Sequence, residues 1–66
     1  MLVAYQQRVI DEKKQLDEKI DKLVKFFDLP IFVTLPKEEQ GLMRSQGHAM
    51  EAYTDILRQR IERFIS

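Results

Sequence analysis

The 66-residue chain has no cysteine, a single histidine, two glycines and two prolines. Without cysteine there is neither a disulfide nor a thiolate metal site, and one histidine does not hold a structural metal without several carboxylate helpers. No metal is therefore expected. Glycine-rich phosphate loops, metal boxes and dinucleotide fingerprints are absent as well, so no cofactor is expected. No apolar run approaches the length of a bilayer span, and the first residues have neither a basic n-region nor an apolar h-region of signal-peptide type. These absences predict a soluble protein of the cytoplasm with no membrane partner. Charge of one sign is also missing: eleven basic and eleven acidic residues cancel. A duplex nucleic acid finds no global field to follow, whereas a small anion needs only a local basic cluster.

What is present is helical periodicity. Val9, Leu16 and Leu23 recur every seven residues, and Gln6, Lys13, Ile20 and Phe27 interleave with them at steps of four and three. That is the seam of a packed helix. Toward its amino-terminal half, Gln6 and Lys13 occupy positions where a plain hairpin would place leucines. The spacing predicts a first helix over residues 2–27, with alternating charge from Asp17 to Lys25 on a solvated face. Asp28-Leu29-Pro30 ends it, because proline disfavours helical geometry in the residue before it.

The connection, residues 28–35, carries Leu29, Ile31, Phe32, Val33 and Leu35, and is too apolar for a loop that faces only water. A short strand through Ile31-Phe32-Val33 would have to pair between subunits. Thr34 is a candidate cap and Pro36 suits a first helical turn, so a second helix is expected over 36–65. Its seam reads Met43, Gln46, Met50, Tyr53, Leu57, Arg60 and Phe64. Gly41 and Gly47 interrupt it, and Ser45, Ala49 and Ala52 near Gly47 form a small-residue stripe suited to subunit contact.

The chain thus reads as one all-α domain, 1–66: a two-helix antiparallel hairpin assembling into an oligomeric helical bundle. So short a chain is marginal alone, and self-association into a dimer or tetramer supplies the missing burial. Pairing Phe27 with Leu42 sets a register in which position numbers sum to about 69, which brings Val9 near Arg60, Leu16 near Tyr53 and Gln6 near Arg63. Polar seam residues then converge away from the loop. Two arrangements fit them. One is a salt-bridged seam that fixes register and oligomeric state. The other is a pocket between hairpins in which basic side chains meet a phosphate and tyrosine stacks on a ring.

Catalysis has little support. His48 sits off the seam, without a serine or cysteine nucleophile or an orienting carboxylate at recognisable positions. Glu38 and Glu39 belong to a helix start, and Met43 and Met50 fill core. The expectation is a protein that is not an enzyme.

The run Tyr5-Gln6-Gln7-Arg8-Val9, then Glu12-Lys13, Leu16, Lys19-Ile20 and Lys22-Leu23, resembles the opening of a family of very small phage-encoded helical proteins first catalogued in crAss-type phages. In the second half, Phe32, Leu35, Glu39, Leu42, Gln46, Met50, Tyr53, Leu57, Arg60 and Ile61 are similar to that family's second helix. The chain departs from the pattern at Gly47-His48 and in its proline-bearing connection. The resemblance implies a phage protein working in the cytoplasm of an infected host. Tiny oligomeric phage proteins of similar kind act as sponges for the nucleotide messengers of bacterial antiviral signalling. On that likeness the expected function is capture of a cyclic nucleotide at subunit interfaces. Arg8, Lys13 and Arg60 would face phosphates, Tyr5 or Tyr53 would stack on a base, and Gln46 would offer hydrogen bonds. The alternative is a protein-interaction module, an adaptor or host-enzyme inhibitor using the apolar loop around Ile31, Phe32 and Val33.

Overall fold

In the computed structural model, which describes residues 2–65, the seven-residue repeat from Val9 to Leu23 becomes one continuous helix, α1 (Ala4–Phe27). Gln6 has its own part in starting it: its side-chain oxygen Oε1 accepts the Val3 backbone N–H at 3.0 Å. That is the returning half of a capping box, with no hydroxyl at the cap position to provide the other half. A 3-10 helix over Pro30–Thr34 makes the connection, and α2 (Lys37–Glu62) returns antiparallel and tightens into a last 3-10 turn, Arg63–Ile65. The described residues contain no strand. The architecture is an all-α helical hairpin, 49 Å long and about 15 Å across.

Ile31-Phe32-Val33 is therefore helical instead of extended, because a chain reversal this tight needs the turn. Its apolar residues also divide. Phe32 is 1% exposed and meets Phe26 and Phe27 edge-on, with centroids 6.1 and 5.0 Å away, while Val33 stands 72% exposed. Burying an aromatic ring under the end of the hairpin closes the bundle at the loop. Arg44 covers the cluster from α2, its guanidinium lying 5.2 Å from the Phe27 ring centre and 5.0 Å from that of Phe32. Thr34 does not cap α2. Its hydroxyl donates back to the Ile31 carbonyl at 2.6 Å, and Pro36 holds the cap position without a side-chain bond. Gln40 ties the connection to α2 instead, its amide donating to the Leu35 carbonyl at 2.8 Å and to that of Val33 at 3.3 Å.

Across the hairpin Tyr5 meets Phe64, Asp17 meets Thr54, and Leu23 approaches Gly47, so paired positions sum to about 70. The core joins Val9, Leu16 and Leu57, flanked by Ile20, Met50, Ile61 and Phe64. On α1 the seam is as the spacing predicts. On α2 half of it shifts by one residue: Gly47, Thr54 and Ile61 turn inward, whereas Gln46, Tyr53 and Arg60 are exposed. Both sets interleave with Met43, Met50, Leu57 and Phe64 at helical spacing. The set that wins keeps the tyrosine hydroxyl and the guanidinium in water, avoiding their desolvation. Gly47 has a specific place in this arrangement, since a Cβ there would sit 3.4 Å from Leu23 Cδ2. The close approach is between the two helices of one chain. Gly41, by contrast, faces open space.

Candidate functional site

The two termini of the hairpin meet at its open end, and a cleft forms where they do. Tyr5 on the first turns of α1 packs edge-on against Phe64, with ring centroids 5.9 Å apart and planes at 80°. Gln6, Arg60 and Arg63 complete the lining around a cavity of about 290 Å³. Two guanidinium groups thus stand beside one exposed phenol ring. Arg60 makes no hydrogen bond or ion pair among the described residues. A cation next to an aromatic face can hold a phosphate or carboxylate while the ring stacks on a planar group.

Lys13 lies elsewhere. Its ammonium pairs with the Asp17 carboxylate at 2.7 Å, and the same carboxylate accepts the hydroxyl of Thr54 from the facing helix. The Lys13 hydrogen bond, followed by that of Thr54, holds the Asp17 carboxyl below its ordinary value of 3.8. Lys13 is thereby drawn into a bridge that ties α1 to α2, which accounts physically for a lysine in the seam. It borders a different, open groove of about 540 Å³, shared with Ile10, Lys14, Asp17, Glu18, Asp21 and Ile61. Lysines and acids are mixed there, so the groove favours neither sign of ligand.

The six residues singled out from the sequence are distributed accordingly. Tyr5 and Arg60 share the open-end cleft. Tyr53 and Gln46 stand seven and fourteen residues before Arg60, on the same exposed side of α2, and the Gln46 amide rests 3.9 Å from Met50 Sδ. Arg8 is exposed on α1 and does not line the cleft. Lys13 belongs to the other groove. Phe64 stood on the expected seam and the register set Arg63 near Gln6, so both were legible at this end, and the geometry of the last turn makes them cleft lining. Asp17 was legible as a partner, since it follows Lys13 by four residues.

A second cleft near the loop is lined by Leu23, Val24, Phe27, Arg44, Gly47 and His48, among others, and holds about 100 Å³. Among the described residues no three His, Cys, Asp or Glu side chains gather where they could hold a metal. Among the same residues no helix is long and apolar enough to cross a membrane.

Residues 4–63 match the model of the Sequestin family. The chain belongs to that family. It is also 41% identical over 63 residues to a protein of Enterobacteria phage T4, an uncharacterized 7.5 kDa protein in the denB-rIIB intergenic region. The alignment covers 96% of this chain and 98% of the phage protein. No solved structure matches. Kinship with small phage proteins therefore holds, while its narrower form, a crAss-type family, has no counterpart in these matches. The match spans α1, the connection and α2. The family's name speaks of sequestration, which needs binding and no chemistry.

Proposed function

We propose that the chain sequesters a cyclic nucleotide second messenger of bacterial antiviral signalling, holding it intact at its subunit interfaces. The observation that carries this reading is the open-end cleft, in which Arg60 stands without a carboxylate partner among the described residues, beside the exposed ring of Tyr5. A cyclic nucleotide presents phosphates and flat bases together, and a guanidinium next to a phenol ring complements both. Gln46 and Tyr53 extend the polar stripe from Arg60 along α2 and would meet the ligand from a neighbouring copy. The family name and the phage relative support a capturing protein over a catalytic one.

Isothermal titration with a panel of cyclic di- and trinucleotides and cyclic ADP-ribose forms tests the reading, with chromatography of the recovered ligand. Tight binding with the ligand returned unchanged is expected. Absence of both heat and thermal shift across the panel would refute it.

A protein-interaction role for the connection is the second reading, favoured by the exposure of Val33 and the half exposure of Ile31 on one small turn. Phe32 is not part of that surface, because it is buried in the bundle end. One stoichiometric host partner, lost with Val33→Glu and retained with Arg60→Ala, would favour this role.

A further inference from the structure

We propose that the cleft at the loop end of the hairpin binds a small monocarboxylate with an apolar body, whose carboxylate pairs with Arg44. The two walls of this cleft share one spacing and differ in chemistry. Ile20, Leu23, Val24 and Phe27 come from α1, at steps of three, four and seven residues that keep them on one side of the helix. Arg44, Gly47, His48 and Glu51 come from α2 at the same steps. The α1 wall is hydrocarbon throughout. The α2 wall has a cation at the loop end, a carboxylate at the far end, and a glycine and a ring between them.

Arg44 is held in place without being neutralised. Its guanidinium lies 5.2 Å from the Phe27 ring centre and 5.0 Å from that of Phe32, so two rings fix the cation and supply no acceptor for its donors. Lys13, Lys25 and Arg58 each meet a carboxylate three or four residues away on their own helix. At those distances from Arg44 the chain places Gln40, Gly41, Gly47 and His48 instead. Arg44 makes no hydrogen bond or ion pair among the described residues. Its planar fork of N–H donors matches a carboxylate in two parallel hydrogen bonds.

Gly47 makes the room for the apolar body. A Cβ there would meet Leu23 Cδ2 at 3.4 Å and the Phe27 ring at 3.8 Å, so the missing side chain opens a slot between the helices. The slot holds about 100 Å³, and an enclosed apolar cavity of about 150 Å³ accepts benzene. Val24, on the α1 wall, stands 47% exposed, so the slot is open to one side and a ring or short branched chain enters from there. Glu51 lies roughly 10 Å along α2 from Arg44 and repels a carboxylate placed the other way round. Arg60 lies roughly 24 Å from Arg44 along the same helix, so this site is separate from the open-end cleft and does not rest on the nucleotide reading.

Benzoate is the probe. Titrated into the isotope-labelled full chain, it should shift the amides of Leu23, Val24, Gly47 and His48 saturably, with a Kd of roughly 0.1 to 1 mM for so few atoms. Benzamide keeps the ring without the charge, whereas acetate and inorganic phosphate lack the ring, and each should bind at least tenfold more weakly. Gly47→Ala should weaken benzoate at least tenfold by filling the slot. Arg44→Gln should bring benzoate to the level of benzamide, with helical circular dichroism confirming that both variants keep the hairpin. Absence of saturable shifts up to about 10 mM, shifts scattered along both helices, benzamide or phosphate equal to benzoate, or an unaltered Kd in Gly47→Ala would overturn the proposal.

Discussion

Thr54 of α2 donates its hydroxyl to the Asp17 carboxylate of α1, a side-chain bond between the two helices on a carboxylate that also holds Lys13. Removing the donor leaves Asp17 with its intrahelical lysine but detaches the bridge. Thr54→Val should cost about 1 kcal/mol, at the low end for a charged acceptor because the carboxylate is half exposed and screened by water. Urea unfolding of T54V, D17N and the double variant should show coupling. Additive losses would mean that the bridge contributes nothing.

The same carboxylate makes stability depend on acid. Asp17 has its folded pKa depressed, first by the Lys13 hydrogen bond and then by Thr54, so the unfolded chain takes up its proton more readily than the folded one. The stabilisation is present above the ordinary value of 3.8 and disappears as pH falls through the lower folded value. Thermal melts of the parent should lose Tm more steeply below about pH 4 than those of Asp17→Asn. Parallel curves would remove Asp17 as the cause.

The two glycines should respond differently to alanine. At Gly41 an added Cβ meets nothing within 4 Å, so Gly41→Ala should stabilise by about 1 kcal/mol from helix propensity alone. At Gly47 the new methyl reaches Leu23 Cδ2 at 3.4 Å, and repacking offsets part of that gain. Gly47→Leu should destabilise by about 1 to 3 kcal/mol through overpacking. Chemical denaturation of the three variants gives the order directly.

Phe32 and Val33 adjoin in sequence and differ in burial. Phe32→Ala removes the ring that closes the bundle end and should cost about 3 to 5 kcal/mol, enough to unfold so small a domain at room temperature. Val33→Ala should change stability by less than about 0.5 kcal/mol. Circular dichroism melts distinguish the pair, and equal effects would contradict the described burial.

Within the open-end cleft, Arg60→Ala should weaken cyclic nucleotide binding by roughly 10- to 100-fold, the loss expected for a charge-assisted contact. Lys13→Ala should act on stability more than on affinity, since its ammonium is committed to Asp17. Titration paired with thermal melts separates these effects. Retained affinity in Arg60→Ala would move the ligand away from the cleft.

Periodicity alone determined the all-α hairpin, the seam of α1, the turn at Pro30 and a register within about one residue of the observed one. These follow from burying one apolar stripe per helix, and a stripe is written directly in residue spacing. Spacing does not say which of two overlapping stripes on α2 turns inward. Gln46, Tyr53 and Arg60 satisfy the rule as well as Gly47, Thr54 and Ile61 do. The choice came from packing, in which Gly47 lets Leu23 come close and Thr54 reaches Asp17. Gln6 and Lys13 both stand where leucines were expected, and tertiary structure gave them separate tasks. One returns to cap its own helix and the other enters a bridge to the next. The same rotation of α2 by a single residue left Arg60 in water beside Tyr5, since a side chain turned away from the seam escapes the desolvation that burial would impose.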